Sequence, residues 1–98
     1  MVLAPEPTPR FRRDVKALRK KHVDLAPLRE VIDLIVADTD QARDELVRHH
    51  GMHRLRGQWE ASNECHVANA GDWLLIWTTT QTQAILQRTG GHDDLFGH

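Results

Sequence analysis

The sequence has the composition of a small globular protein. It contains 98 residues, of which 40% are hydrophobic and 28% charged, and its formal net charge is −1. A chain of this length builds one hydrophobic core, so residues 1–98 are expected to form a single domain. The single cysteine, Cys65, excludes an internal disulfide. Without a secretion signal or an apolar run of ~18 residues, the chain is expected to be cytoplasmic and to have no membrane contact.

Positive charge is concentrated in one segment of the chain. Residues 10–22 contain seven Lys or Arg residues and one acid, Asp14, so this segment carries +6 while the rest carries −7. A basic block of this kind indicates a contact surface for phosphate or for an acidic partner. A solvated helix face is the plain alternative.

Two amphipathic helices are predicted near the start of the chain. Thr8 followed by Pro9 is typical of a helix start, because Thr can cap exposed amides and Pro has no N–H to leave unpaired. The first apolar stripe follows at helical spacing: Phe11, Val15, Leu18 and His22. Asp24 predicts a second cap, before a second stripe: Leu25, Leu28, Ile32 and Ile35. We expect the two helices to form a hairpin. Residues 39–50 could form a third helix that ends at Gly51, or a loop.

After Gly57 the apolar pattern changes from helical to alternating. The segment "WEASNECHV" places Trp59 and Cys65 on one face of a strand and His66 on the other. The segments "WLLIWTTT" and "QAILQRT" predict two further strands of an antiparallel meander, with the loop "ANAGD" before the first of them. The predicted class is α+β, with two N-terminal helices packed on one face of a small, mainly antiparallel sheet. The face that bears His66 should then stay open.

Histidine is frequent in this sequence, with seven in 98 residues. Histidine binds zinc and also exchanges protons near neutral pH, so both uses need weighing. His49 and His53 have helical i, i+4 spacing, but Cys65 and His66 are neighbours on a strand and point to opposite faces. No paired-cysteine motif or HExxH is present, so neither a metal site nor a cofactor is expected.

Four titratable residues are candidates for acid–base chemistry. His66 ends one predicted strand, Asp72 precedes the next, His92 follows the third, and His53 lies before the sheet. Strand ends of this kind can meet in one cleft, where groups of suitable pKa can act together on a phosphate or carbonyl. For any single histidine, composition alone favours a surface or partly satisfied polar residue over a catalytic one.

Three fragments, in this order behind a basic helix, carry a family resemblance: "MHRLRGQW", "ECHVANAGDWLLIW" and "QRTGGHDDLFG". Together they resemble the RelE/ParE superfamily of type II toxins, and most closely the YafQ family of ribosome-dependent mRNA interferases. The resemblance runs from about Phe11 to Gly97. It implies a RelE-like fold and an endoribonuclease that inhibits translation.

The resemblance assigns the catalytic positions to His53, His66, Asp72 and His92. It implies metal-independent attack of a ribose 2′-hydroxyl on the adjacent phosphate, for which His92 as acid and His53 as base are the preferred roles. It also implies RNA contacts by Arg88 and Phe96, while the basic helix would contact ribosomal RNA or an acidic segment of the antitoxin. These basic residues are Arg12, Arg13, Lys16, Arg19 and Lys20. A structural ion pair is the alternative for Arg88, and the three tryptophans are assigned to the core.

The implied partners are a cognate antitoxin protein, mRNA in the ribosomal A site and ribosomal RNA. Three alternatives are weighed beside this function: a ParE-like gyrase inhibitor, a non-cleaving relative that only binds an antitoxin, and a zinc-binding module. The gyrase inhibitors lack the histidine set present here. Ser62 and Asn63 stand where relatives carry an aromatic residue and an arginine, which keeps the non-cleaving alternative open. The loop before Asp72 is also about two residues longer than expected from the family.

Overall fold

A computed structural model describes residues 2–68 and 72–97 of the chain. The helices in these ranges are α1 Pro9–Lys20, α2 Ala26–Ala37, α3 Asp40–His50 and α4 His92–Phe96. The strands are β1 Ala4–Pro7, β2 His53–Arg54, β3 Asn63–His66, β4 Leu74–Thr79 and β5 Gln83–Gly90. The α+β class predicted from the sequence is therefore confirmed. Within the described residues, none of the helices has the length and apolar character needed to span a bilayer.

The sheet has five strands in the order β1-β5-β4-β3-β2. Strands β3, β4 and β5 form the predicted antiparallel meander, and β2 extends it antiparallel to β3. The first strand, β1, pairs parallel with β5 at the other edge. The sheet is thus mainly antiparallel, as expected, although β1 and β2 are not predicted from the sequence.

The helix ends follow the capping residues in the sequence. The Thr8 side chain accepts a hydrogen bond from the amide of Phe11, as expected for the start of α1. Thr39 caps α3 in the same way, and α3 ends at Gly51, which has a φ of 61°. Residues 40–50 are therefore a helix and not a loop. The Asp24 carboxylate accepts from the amide of Ala26, the first residue of α2.

Two apolar clusters lie on opposite faces of the sheet. The larger one packs beneath α1 and α2 and contains Cys65 and Trp77 together with Phe11, Leu28, Val31 and Ile35. Helix α1 packs along β5, while α2 packs chiefly against α3 and not in the expected hairpin with α1. The smaller cluster, on the other face, is covered by α4: Leu74, Ile76 and Leu95, with Leu55, Trp59 and Phe96 against them.

The position of Trp59 corrects the sequence prediction. Trp59 was expected on the face of Cys65, but it packs in the smaller cluster on the opposite side. The strand is shorter than predicted, because Gly57–Trp59 form a 3-10 turn and Ala61 has a positive φ of 71°. A turn of this kind breaks the two-residue alternation on which the prediction depends.

Candidate active site

The strand register places two of the candidate histidines on the face that α4 covers. His53 pairs with Glu64 across β2 and β3, and directly paired residues project from the same face of a sheet. Glu64 and His66 are two residues apart on β3, so they share that face, while Cys65 between them points into the larger core. His66 pairs with Leu74, whose side chain packs against Leu95 of α4.

Asp72 and His92 come together at the start of α4. The Asp72 Oδ2 accepts a hydrogen bond of 2.7 Å from the backbone amide of His92. The Asp72 Oδ1 lies 3.6 Å from the His92 Nδ1, and both side chains are more than half exposed. The structure therefore brings these two candidates together, twenty residues apart in sequence.

Phe96 supports the ring of His92 from within α4. The two ring centroids are 5.1 Å apart and the planes are inclined by 47°. Phe96 itself is half-buried against the smaller cluster, while His92 is exposed. The aromatic residue near the end of the chain thus contacts the His92 ring.

His53 is held between two oxygen atoms. Its Nδ1 lies 3.0 Å from the carbonyl oxygen of Gly51, and its Nε2 lies 3.4 Å from the Oε1 of Glu64. Glu64 is buried, with a side-chain exposure of 7%. Glu64 is not among the residues predicted from the sequence, although a carboxylate on the same strand face as His66 was a signal that could have identified it.

His66 lies beside the C-terminal end of α3. Its backbone carbonyl accepts from the His50 Nδ1 at 2.9 Å, and its exposed ring lies against Gly51. A Cβ on Gly51 would be only 3.3 Å from the His66 Cδ2, so the glycine makes room for this ring. Within residues 2–68 and 72–97, no side-chain hydrogen bond or ion pair links His66 to the Asp72 and His92 pair. The loop residues 69–71 before Asp72 lie outside the described residues.

Arg88 is engaged by Asp14 of α1. Its Nε and Nη2 donate to the two carboxylate oxygens of Asp14 at 2.8 and 3.1 Å, and both side chains are nearly buried. The hydrogen bond from Arg88 to Asp14 raises the pKa of the Arg88 guanidinium, so this arginine stays charged. Arg88 also donates to the carbonyl oxygen of Asp94 in α4 at 3.4 Å. The ion pair weighed as its alternative role is present, and an RNA contact by Arg88 stays a prediction.

The basic side chains of α1 face solvent. The five predicted RNA contacts on this helix are all exposed: Arg12, Arg13, Lys16, Arg19 and Lys20. None of these five forms an ion pair with another described residue. Ser62, in contrast, is buried and donates to the Gln87 side chain at 2.7 Å, so it has a structural role.

The donor groups of the described residues do not form a metal cluster. Among the residues that the structure describes, no three His, Cys, Asp or Glu side chains lie close enough to hold an ion. Cys65 is fully buried beneath the helices, and burial raises the pKa of its thiol to about 12. Its side chain faces the core and not the histidines.

Known proteins match this chain over almost its whole length. Residues 3–97 match the family described as the bacterial toxin of the type II toxin–antitoxin system, YafQ. The mRNA interferase toxin YafQ of Escherichia coli strain K12 is 32% identical over 87 residues, which cover 89% of this chain and 88% of that protein.

Solved structures give the same result for the fold. The crystal structure of YafQ from E. coli strain BL21(DE3) superposes with a TM-score of 0.83 at 29% identity, covering 97% of this chain and 99% of that chain. The match to the crystal structure of the E. coli DinJ-YafQ toxin–antitoxin complex has a TM-score of 0.82 at 30% identity, covering 99% and 100%. The overall fold is therefore shared with these YafQ structures.

Proposed function

We propose that this chain, which belongs to the YafQ family of type II toxin–antitoxin toxins, is an endoribonuclease. Its proposed activity is the cleavage of mRNA on the ribosome, which inhibits translation. The E. coli relative is named an mRNA interferase. The observation that carries the proposal is the contact between Asp72 and His92, which the fold assembles from two distant parts of the chain. A paired, exposed imidazole and carboxylate suit proton transfer to a bound substrate.

The proposed reaction is an internal transfer at one phosphodiester. The ribose 2′-oxygen loses its proton to a base and bonds to phosphorus, and the bond from phosphorus to the 5′-oxygen breaks as an acid protonates that oxygen. His92 is the preferred acid, because Asp72 and Phe96 orient its ring. His53 and His66 lie on the same sheet face as α4 and complete the proposed set. General acid–base catalysis of this kind contributes roughly 10²–10⁴-fold.

RNA binding is proposed to use the exposed cations of α1. These five side chains offer positive charge without internal ion pairs among the described residues, as phosphate contacts require. Phe96 could stack on a base at the edge of the site, and Arg88 could contact a phosphate only with the guanidinium N–H groups that Asp14 leaves available.

The proposed partner is a cognate antitoxin. One of the matched crystal structures is that of the E. coli DinJ-YafQ toxin–antitoxin complex. This match supports a protein partner for this chain. A toxin that acts on mRNA in the ribosomal A site would work in the cytoplasm, where it would also contact ribosomal RNA. The +6 segment suits either an acidic antitoxin segment or RNA.

Expression in bacteria tests the proposed function. Induction should stop growth and produce transcripts cut in register with the reading frame, mapped by sequencing of RNA ends. His92→Ala and His66→Ala should reduce cutting by at least about a hundredfold, because each removes a proton-transfer group. His49→Ala, an exposed histidine on α3, is the matched control and should behave as wild type.

Two other outcomes would contradict the proposal. Growth arrest with intact transcripts and damaged DNA would indicate a gyrase inhibitor instead. Antitoxin binding without growth arrest or cutting, in a protein that folds normally, would indicate the non-cleaving relative.

A further inference from the structure

Glu64 has a buried carboxylate beside His53 of the proposed site. The reaction described above gives this carboxylate no role. The Oε1 lies 3.4 Å from the His53 Nε2, and the Oε2 is buried with no hydrogen-bond partner among the described residues. A buried polar atom left without a partner destabilises the folded state. Such an atom in a native fold calls for an explanation, and a role in the adjacent site is one.

The surroundings of His53 define where its protons lie. Its Nδ1 is 3.0 Å from the carbonyl oxygen of Gly51, and a carbonyl oxygen can only accept, so this nitrogen carries a proton. Its Nε2 faces the Oε1 of Glu64. A lone pair on that nitrogen would face an ionised carboxylate and be repelled, whereas a proton there is attracted to it. Both ring nitrogens therefore face oxygen atoms that favour an N–H.

Burial makes the contact between Glu64 and His53 different from a surface pair. Glu64 pairs with Ile76 on β4 as well as with His53, and Ile76 belongs to the smaller apolar cluster. Charges interact more strongly beside an apolar cluster than in water. The pair of Glu45 and His49 on α3 is shorter, at 2.6 Å, but both of its side chains are about half exposed and solvent screens them.

We propose, on the basis of the nuclease function proposed above, that Glu64 is a positioning residue that holds His53 in one orientation with a proton on each ring nitrogen. In that form His53 is a cation whose two N–H groups both face protein oxygens, so it can stabilise the negative charge of the scissile phosphate without transferring a proton. It is then not the base. The proton of the 2′-hydroxyl passes instead to His66, because His92 is the proposed acid.

Nitrogen NMR of the full chain, labelled with ¹⁵N-histidine, tests the protonation of His53 directly. At neutral pH both of its ring nitrogens should resonate in the protonated range. In Glu64→Gln the Nε2 should lose its proton and the Nδ1 should keep it, while Glu45→Gln, the matched surface carboxylate, should leave His53 unchanged. Glu64→Asp keeps the charge and should preserve the signature if the Gln variant does not fold. An unprotonated ring nitrogen on His53 in the wild type would overturn the proposal.

Cleavage on purified ribosomes tests whether this positioning matters for the reaction. Glu64→Gln should lower kcat about tenfold and leave KM unchanged, Glu64→Asp should recover part of the loss, and Glu45→Gln should match the wild type. Wild-type kcat in Glu64→Gln, with the Nε2 proton lost, would refute the role of Glu64. If the wild type itself cuts no mRNA, the proposed function fails, while the NMR result still decides how His53 is held.

Discussion

Asp14 is the one acidic residue in the basic segment 10–22, and the structure explains its presence. Its carboxylate accepts from the Arg88 guanidinium and from the backbone amide of Thr89, so it joins α1 to β5. Nearly buried charges are tolerated when they are paired and hydrogen-bonded, as they are here. One acid thus lets a strongly cationic helix lie against the sheet while the remaining cations face solvent.

Cys65 links burial to the pH dependence of stability. Burial, with a smaller contribution from the charge of Glu64, raises the pKa of the thiol from 9.0 to about 12. The unfolded chain therefore ionises first, and the stability that the neutral thiol contributes is complete below pH 9 and is lost as the pH rises toward 12. The full loss is roughly 4 kcal/mol.

Urea unfolding between pH 8 and pH 10.5 measures this effect. The free energy of unfolding should fall more steeply with pH in the wild type than in Cys65→Ala. The alanine variant is expected to start from a lower stability, because it leaves a cavity in the larger core, so the slopes and not the absolute values are compared. Equal slopes would show that the thiol does not ionise differently in the two states.

At the scale of elements, the sequence predicts the parts whose periodicity is long and regular. The helix that begins after Thr8 and the strands within residues 73–80 and 83–89 were predicted, because apolar spacing and capping agree there. Strand β1 was missed because its sequence, APEP, contains two prolines. It is an edge strand: the amide of Thr8 donates to the carbonyl oxygen of Leu86 in β5, and the amide of Ala4 donates to the carbonyl oxygen of Thr82, just before β5. The prolines at the alternate positions therefore remove no hydrogen bond from the sheet.

Helix α4 was missed for a different reason. Five residues are too few to show a period, and the helix has no apolar stripe beyond Leu95 and Phe96. Its position depends on tertiary contacts instead: the amide of His92 donates to Asp72, and the amide of Gly91 donates to the side chain of Asp94. The sequence could indicate which residues matter at this end of the chain, but not that they begin a helix.

Gly91 is the tightest point in the connection between β5 and α4. A Cβ there would lie 3.1 Å from the Asp72 Oδ2 and 3.2 Å from the Asp72 carbonyl oxygen. Its φ of −76° suits any residue, so the space and not the backbone angle requires glycine. Gly91→Ala should push Asp72 away from His92 and lower the proposed cleavage rate by about tenfold or more, with a loss of stability of ~1 kcal/mol.

The matched control for that prediction is Gly97→Ala. Gly97 ends α4, and a methyl group added there would meet no atom within 4 Å, although its φ of 76° makes any side chain somewhat strained. Its substitution should therefore affect stability without displacing Asp72. Cleavage kinetics and thermal unfolding of both variants measure the effects on rate and on stability. Similar rates for Gly91→Ala and the wild type would contradict a tight fit.

At the scale of the whole molecule, charge is separated as the sequence indicated. The cations of the +6 segment are exposed on α1 and just after its end, and −7 lies in the rest of the chain. The convergence of Asp72 with His92 was also expected from the order of the strands, and the structure shows that contact. The burial of Glu64 could not be predicted, because it depends on the turn at Gly57–Trp59 and on α4 covering that face.

The outer face of α1 should govern the salt dependence of RNA binding. Arg12→Gln combined with Lys16→Gln removes two exposed cations, so the slope of log affinity against log salt should become shallower by about 1.4 to 1.8. Arg29→Gln combined with Arg48→Gln removes the same charge from α2 and α3 and should change the slope much less. Binding to ribosomes at several salt concentrations measures both, and equal slopes for the two double variants would contradict a role for α1.

The pairing of β1 with β5 has a consequence for the synthesis of the chain. Strand β1 leaves a ribosome before its neighbour β5 and can pair only when residues 83–86 have followed it, and α4 follows later still. Pairing across so long a separation is slow to form, because much chain entropy is lost before the contact is made. A nascent chain would thus lack both the finished sheet and the His92 segment until residues 83–96 have been synthesised, so the proposed cleavage could not begin before that point.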